Sequence, residues 1–157
     1  MKNDLIIQHN ITDEQIRQLV SYTKKDNQIQ MHTHDKKRFL SVESFEEWKD
    51  KNKEIFVLTD SSKELLGLIW FSKERIPGHI DSKEFDTTFA IRIYERARGK
   101  RLSYYFMQHA FEKVGITKTW LSVKKTNHIA IKLYKKFGFK KYSNINDSVI
   151  MTYKKIA

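Results

Sequence analysis

The stretch F-A-I-R-I-Y-E-R-A-R-G-K-R-L-S-Y-Y-F, at residues 89–106, decides how this chain folds. Phe89, Ile91 and Ile93 alternate with other residues, which is the period of a β-strand. From Leu102 onward, apolar residues recur at the spacing of a helix that buries one face. The stretch therefore predicts a strand that leads through a basic turn into a helix.

The turn between this strand and this helix has the composition of an anion-binding site. Gly99 lies between Arg98 and the pair Lys100 and Arg101, so basic side chains flank the glycine on both sides. The first N–H groups of a helix lack partners within the helix, and the helix dipole favours negative charge there. The turn therefore predicts a phosphate or pyrophosphate ligand.

A second segment, T-N-H-I-A-I-K-L-Y-K-K-F-G-F, begins at Thr126 and predicts a capped helix. Thr126 or Asn127 can accept a hydrogen bond from the first turn as the N-cap residue. Gly138 can end the helix in the left-handed conformation, with Phe139 folded back as the apolar contact of that cap. Tyr134 lies on the inward face of this helix, among apolar residues.

In these two segments the chain resembles the GNAT superfamily of acyl-CoA-dependent N-acyltransferases. The cofactor loop of that family reads Gln/Arg-x-x-Gly-x-Gly/Ala, and the stretch from Arg98 follows it, except that Arg101 and Ser103 replace the two small residues. The second segment follows the family's Asn-x-x-Ala-x-x-Leu-Tyr-x-x-x-Gly-Phe spacing from Asn127. The resemblance implies a mixed α/β fold, with a central mixed sheet of about six to seven strands, flanking helices and a splayed strand pair that holds acyl-CoA. It also implies that residues 1–157 form a single N-acetyltransferase domain.

The resemblance further implies direct transfer of an acetyl group from acetyl-CoA to a primary amine of a small molecule or a protein. The main chain of the strand would bind the pantetheine arm and polarise the thioester, and the turn would hold the phosphates. An arginine at position 101 can still present its N–H if its φ stays negative, and it adds positive charge to the turn. The implied cofactor-binding residues are Ile91, Arg92, Ile93, Arg98, Gly99, Lys100, Arg101, Leu102, Ser103 and Asn127.

Two catalytic roles follow from the same resemblance. Tyr134 occupies the position of the family's general acid, where its phenol could protonate the departing thiolate; the alternative is a tyrosine that only packs. Asp86, upstream on the motif strand, is the candidate general base. Glu84, His79 and an ordered water are the alternatives to Asp86.

The excess of positive charge is confined to the part of the chain that carries most of the two segments. Residues 1–97 contain 16 Lys and Arg against 17 Asp and Glu, whereas residues 98–157 contain 14 against 2. The basic part could attract coenzyme A, face nucleic acid or the ribosome, or simply solvate two amphipathic helices. A nucleic-acid-binding module or an acetyl-CoA sensor without turnover are therefore the competing functions. We expect no nucleic-acid partner, because basic and aromatic residues are not interleaved as on surfaces that stack bases.

Composition excludes several classes of protein. The chain has no cysteine, so it contains neither disulfides nor thiolate metal sites. No apolar run reaches the roughly 18 residues of a membrane span, and the N-terminus has no signal-peptide pattern. We therefore expect a cytoplasmic protein without a membrane partner, present as a monomer or a homodimer.

Two polar segments lie outside the motifs, at residues 26–39 and 75–84, and we expect both to shape the acceptor site as loops. The polar segment at residues 26–39 contains His32-Thr33-His34, and its composition predicts an irregular conformation. Two histidines at this spacing could ligate a metal from a strand, but no third ligand stands nearby. We therefore predict a solvated loop and no metal.

Overall fold

The computed structural model describes residues 4–78 and 83–156. Within these residues the strands are β1 (Ile6–His9), β2 (Lys53–Thr59), β3 (Leu65–Lys73), β4 (Thr87–Ile93), β5 (Lys118–Lys124), β6 (Lys140–Ile145) and β7 (Ser148–Lys154). The α-helices are α1 (Asp13–Lys25), α2 (Asn27–His32), α3 (Asp35–Arg38), α4 (Val42–Lys49), α5 (Leu102–Val114) and α6 (His128–Phe137). In this part of the chain no helix is both long enough and apolar enough to cross a membrane.

All seven strands join one sheet in the order β1-β2-β3-β4-β5-β7-β6. The strands β1 to β4 form an antiparallel meander, and β5, β7 and β6 form a second antiparallel unit. The two units meet where β4 runs parallel to β5, with α5 as the crossover that a parallel pair requires. This topology confirms the expected mixed α/β fold with a central mixed sheet of about six to seven strands.

The parallel strands β4 and β5 separate soon after they meet. Their register contains one residue pair, Thr88 with Trp120. A side-chain hydrogen bond supports this contact, since Thr119 Oγ1 donates to the carbonyl oxygen of Thr87 at 2.6 Å. Beyond it the facing edges of the two strands are unpaired within the described residues, so the sheet opens between its two halves as expected.

The two faces of the sheet carry separate clusters of buried side chains. On the α5–α6 side, Phe89 packs with Phe111, Tyr134 and Phe139. On the α1–α4 side, the cluster is built around Trp70 of β3 and includes residues from α1, α2 and α4. These two clusters fix β4 between them and thereby set the position of the opening.

Local signals in the sequence place most helix ends correctly. Gln15 N–H donates to Thr12 Oγ1 at 3.2 Å and Thr12 N–H donates to Gln15 Oε1 at 3.0 Å, which is a complete capping box at the start of α1. Asn127 caps α6 by accepting from the N–H of Ala130 at 3.3 Å. Gly138 ends α6 with φ +126°, a positive value that lies outside the left-handed helical region we expected.

The expectation of an irregular chain over residues 26–39 is wrong. This segment forms the short helices α2 and α3. Asp26 caps α2, accepting from the N–H groups of Gln28 at 3.1 Å and Ile29 at 3.3 Å. The helices carry too few apolar residues to show a stripe, which is why the sequence pattern did not reveal them.

Candidate active site

A cavity of about 530 Å³ occupies the gap between β4 and β5. Its walls include residues 88–93 of β4 and 120–124 of β5. On one side lie α6 and the start of α5, which contribute Tyr134 and Ser103, and on the other lies α4, which contributes Trp48. Because the strands diverge here, ligands that enter from opposite faces of the sheet can reach the same space.

The basic turn before α5 has two residues with positive φ. Gly99 has φ +74°, and Arg101, which immediately precedes the helix, has φ +57° and ψ +37°. The condition of a negative φ at Arg101 is therefore not met: an arginine occupies the left-handed conformation that glycine adopts freely. The main-chain path of the turn is kept at a cost of about 1–2 kcal/mol for an L-residue with a Cβ.

The three basic side chains of this turn differ in their contacts and in their exposure to solvent. Arg98 turns inward: its Nε donates to the carbonyl oxygen of Ile93 at 3.0 Å, and its guanidinium pairs with the buried carboxylate of Asp26. Lys100 and Arg101 are exposed. Arg98 thus ties the turn to the start of α2, and the two exposed residues are the ones whose charge is available to a ligand.

The other predicted cofactor residues lie around the same opening. Ile91 is buried and Ile93 half-buried, and both belong to the cluster on the α5–α6 side while lining the cavity. Leu102 packs into that cluster at the first residue of α5. Ser103 and Asn127 line the cavity. The structure therefore brings together residues that the sequence separates by more than one element.

Tyr134 is a buried residue of α6 that lines the cavity. Its ring packs edge-on against Phe89, with centroids 6.5 Å apart, and against Phe139 at 5.8 Å. Burial raises the pKa of Tyr134, and the positive charge of Arg92 partly offsets this rise. The phenol is therefore protonated at neutral pH and holds its proton more tightly than an exposed tyrosine does.

Asp86 does not line the cavity. Its side chain is 58% exposed, accepts a hydrogen bond from Thr87 Oγ1 at 3.1 Å and lies 3.9 Å from Lys73 Nζ. Glu84 is exposed too, and its ion pairs with Lys154 and Lys118 lower its pKa. His79 lies outside the described residues. The structure therefore does not bring Asp86 or Glu84 to the residues of the turn and of α6.

A different carboxylate reaches the cavity. Glu74 directly follows β3, and among the described residues it is the one Asp or Glu in the cavity wall. Its main chain is fixed by two hydrogen bonds: its N–H donates to the carbonyl oxygen of Asp86 at 2.9 Å, and its carbonyl oxygen accepts from Trp120 Nε1 at 2.8 Å. In the sequence Glu74 stands between Lys73 and Arg75 and resembles an ordinary exposed turn residue, so no local signal singled it out.

The wall on the α1–α4 side contains a buried ionic cluster. The carboxylate of Asp35, with no exposed surface, accepts from Arg92 Nε at 2.7 Å, from a second nitrogen of the same guanidinium at 3.1 Å and from Arg38 at 3.0 Å. Arg92 also lies over the ring of Trp70, with 4.8 Å from Cζ to the centroid. Arg92 therefore uses its side chain to hold α3 against β4, while its main chain borders the gap.

His32 and His34 both line the cavity from α2 and its end. The Nδ1 atom of His32 is buried and has no hydrogen-bond partner within the described part of the chain. Across residues 4–78 and 83–156, no three His, Cys, Asp or Glu side chains come together as a metal site. The prediction of a solvated loop is wrong for His32, which is the last residue of α2 and is half-buried, whereas His34 lies in an exposed bend between α2 and α3.

The family model and the solved structures that this chain resembles are those of acetyltransferases. The model of the acetyltransferase (GNAT) family matches residues 19–139 of the chain. No curated protein sequence matches it. The fold is similar to that of a protein provisionally assigned as a phosphinothricin N-acetyltransferase, with a TM-score of 0.73 and 17% identity over 98% of this chain and 99% of that one.

Similar folds also occur among polyamine-modifying enzymes. The spermidine N-acetyltransferase from Vibrio cholerae, in complex with CoA and spermine, has a TM-score of 0.71 and 20% identity, covering 98% of this chain and 96% of the other. A chimera of that protein has a TM-score of 0.72 and 21% identity, with coverage of 96% and 95%. At these identities the likeness establishes the fold and leaves the acceptor open.

Proposed function

The chain belongs to the acetyltransferase (GNAT) family, and on that premise we propose that it transfers an acetyl group from acetyl-CoA to a primary amine. The observation that carries this proposal is the cavity between β4 and β5, which is lined by Tyr134 and extends to Ser103 at the start of α5. Because the cavity is open between the strands, a thioester from one side and an amine from the other can meet without an enzyme-bound intermediate. This supports direct attack of the amine on the thioester.

We assign the anchoring of the donor phosphates to the turn and the first residues of α5. The main chain from Arg98 through Gly99, Lys100, Arg101, Leu102 and Ser103 leads into a helix of 13 residues, whose first N–H groups lack partners within the helix. The exposed cations of Lys100 and Arg101 add attraction for phosphate. Arg98 contributes differently, by fixing the shape of the turn through Asp26.

The donor's arm would bind as an added strand along β4. The main chain of Ile91, Arg92 and Ile93 pairs with β3 on one edge and borders the gap on the other. The carbonyl oxygens of Ile91 and Ile93 already accept from Arg92 and Arg98, each at 3.0 Å, so a donor would use the free N–H groups and the second lone pairs of these oxygens. We propose that these groups bind the amides of the pantetheine arm and that one N–H polarises the thioester carbonyl. Asn127 lines the same cavity and adds a side-chain amide near this arm.

The proton transfers are assigned to two side chains of the cavity wall. Glu74, directly or through a water molecule, would take a proton from the acceptor ammonium, and the neutral amine would attack the thioester carbon. As the tetrahedral intermediate collapses, the C–S bond breaks and the thiolate takes the proton of the Tyr134 phenol. The extra proton on the amide nitrogen then passes, directly or through water, to the Tyr134 phenolate, and the proton on Glu74 leaves to solvent. We prefer Glu74 to Asp86 as the base because Glu74 lines the cavity and Asp86 does not.

The first experiment is a calorimetric titration with acetyl-CoA, followed by a thiol-release assay with a panel of amines. The absence of cysteine means that the protein adds no thiol background to that assay. Tyr134→Phe should lower kcat about 100- to 10,000-fold while leaving the affinity for acetyl-CoA unchanged. Tyr153→Phe, which alters a tyrosine that does not line this cavity, is the matched control. An unchanged kcat in Tyr134→Phe contradicts the acid role, and acetyl-CoA binding without transfer to any amine favours a sensing domain instead.

The choice of base is tested by a pair of amide substitutions. Glu74→Gln should lower kcat/KM about 100-fold or more near neutral pH, and less at alkaline pH where more of the acceptor is already neutral. Asp86→Asn should have little effect, because that carboxylate lies outside the cavity wall. The reverse outcome would restore Asp86 as the base.

A further inference from the structure

The acceptor side of the cavity contains a cation that the rest of the site leaves without a counter-ion. Lys53, at the start of β2, lines the cavity, and its Nζ donates to Ser72 Oγ at 2.8 Å. Its ammonium lies 5.2 Å from the ring centroid of Trp48. Among the described residues no carboxylate lies within ion-pair distance of it, although burial lowers its pKa and therefore disfavours its charge.

The neighbouring cations strengthen this local positive charge. Arg38 lines the cavity and lies 5.5 Å from the ring of Trp70. Its guanidinium shares the single carboxylate of Asp35 with Arg92, so one negative charge serves two positive ones. Together with Lys53, the α1–α4 wall has more positive than negative charge at the point where the acceptor must enter.

One carboxylate faces the same space from a separate position. Burial lowers the pKa of Lys53 and of Arg38, and attraction to Glu74 offsets part of this fall in each, yet among the described residues Glu74 forms no ion pair with either. The cavity thus presents a negative group and a separate positive group to a ligand. A molecule that carries an amine at one end and an anion at the other is complementary to this arrangement, whereas a polycation is not.

The tryptophan rings of the α1–α4 wall do not compensate for the positive charge of Lys53 and Arg38. Trp48 has Lys53 beside its ring, and Trp70 has Arg38 and Arg92 beside its own. Cations are drawn to the faces of such rings, and here the resident side chains of the protein already occupy that role. The tryptophans therefore offer little to a second ammonium group on an acceptor.

We infer that the acceptor is a primary amine that also carries an anionic group, with Lys53 and Arg38 binding the anion and Glu74 facing the amine. This inference rests on the proposed transfer to an amine, which it makes more specific. Carboxylate and phosphonate share the required chemistry, and the test distinguishes them. Transfer itself follows the steps given above, with the anion taking no part in bond making.

The test compares acceptors that differ only at the end remote from the amine. The wild-type protein with acetyl-CoA is assayed with amino carboxylates from glycine to 6-aminohexanoate, with 3-aminopropylphosphonate, and with the alkylamine and diamine of each length. We expect the best anionic acceptor to exceed its alkylamine by at least about 10-fold in kcat/KM, and its diamine by more. Equal or greater kcat/KM values for the alkylamines or diamines across the series would overturn the inference while leaving the proposed function intact.

A charge-removing variant then assigns the anion to its residue. Lys53→Met should reduce the ratio of kcat/KM for the best anionic acceptor to that for its alkylamine by about 10- to 100-fold. Lys51→Met, a nearby exposed lysine outside the cavity wall, is the matched control and should leave that ratio unchanged. A ratio that is the same in Lys53→Met and in the wild type contradicts the assignment.

A binding measurement separates this inference from acyl transfer. In the presence of CoA, where no transfer can occur, tryptophan fluorescence is titrated with the amino carboxylate series and with the alkylamines, because Trp48 and Trp70 lie beside the proposed anion site. A saturable change with an anionic amine that is absent in Lys53→Met supports the anion site even if no amine is acetylated, in which case the proposed function alone fails. No saturable change with any member of the series, together with no anionic preference in turnover, overturns the inference.

Discussion

On the α5–α6 side of the sheet, phenylalanine and tyrosine rings pack against one another, and none of the described Asp, Glu, Lys or Arg side chains is buried there. On the α1–α4 side, two carboxylates, Asp26 and Asp35, are buried and paired with Arg98 and Arg92 of the motif segment. The first side is held by apolar contacts that tolerate exchange of similar shapes. The second depends on individual charges, so small chemical changes there should have disproportionate effects.

The largest loss of stability is expected for a substitution that removes the charge of Asp35 but keeps the shape of its side chain. Asp35→Asn leaves the guanidinium groups of Arg92 and Arg38 without their carboxylate, and we expect the free energy of unfolding to fall by about 3–5 kcal/mol. Met107→Leu, an equally conservative change in the cluster on the α5–α6 side, should cost less than about 1.5 kcal/mol. Urea unfolding measures both, with the exposed Glu47→Gln as reference. Equal losses for Asp35→Asn and Met107→Leu would remove the distinction between the two sides.

A smaller loss is expected at Asp26, the other buried carboxylate. Asp26→Asn keeps a residue that caps helices well, so the substitution removes mainly the charge facing Arg98. We expect a loss of about 1–3 kcal/mol in urea unfolding, because the guanidinium of Arg98 remains partly solvated. A double-mutant cycle with Arg98→Met isolates the pair; a coupling energy near zero would show that α2 does not depend on the turn.

The buried Tyr94, on the α1–α4 side, is expected to make stability depend on pH in the alkaline range. It belongs to the cluster on the α1–α4 side, its hydroxyl has no hydrogen-bond partner among the described residues, and burial raises its pKa well above the ordinary value of 10.0. Above pH 10 the unfolded chain releases this proton and the folded chain keeps it, so stability falls as pH rises. Tyr94→Phe should reduce the loss between pH 10 and 11 by about 1 kcal/mol. Urea unfolding at pH 7, 10 and 11 checks this, and parallel curves for variant and wild type would contradict it.

The smallest change in stability is expected for a substitution of Arg101, in the turn that joins the two sides. Arg101→Gly replaces a strained left-handed residue by one that adopts φ +57° freely, but it also loosens the unfolded chain. We expect a net gain of up to about 1 kcal/mol in thermal or urea unfolding. The variant should also bind acetyl-CoA more weakly at low salt, since one exposed cation is lost. Lys100→Gln removes a neighbouring charge without the conformational change and separates the two effects.

The sequence was most informative where the signals were local. The cap of Asn127, the strand of the motif and the helix after it all depend on residues within one turn or one alternation of each other. The position of the opening between β4 and β5 followed from family resemblance. Even there the conformation of Arg101 was missed, because the turn keeps a glycine-like path irrespective of the side chain that occupies it.

The sequence was least informative on the α1–α4 side. Asp26 lies 72 residues before Arg98, and Asp35 lies 57 before Arg92, so no local pattern connects either pair. The helices α2 and α3 owe their stability to these distant arginines more than to an apolar stripe. Glu74 reaches the cavity because β3 ends beside the gap, which is a property of the sheet and not of the residues around it.

The single residue pair between Thr88 and Trp120 has a mechanical consequence. Along the described strands, the meander β1–β4 and the unit β5–β7–β6 are joined by this pair and by helices, and not by a continuous ladder of hydrogen bonds. An acyl-CoA bound between β4 and β5 would form hydrogen bonds with strand edges that the protein itself leaves unpaired. We expect amide protons of β4 and β5 that face the gap to exchange quickly in the free protein and slowly in the complex. A bound donor should therefore make the two halves of the sheet harder to separate.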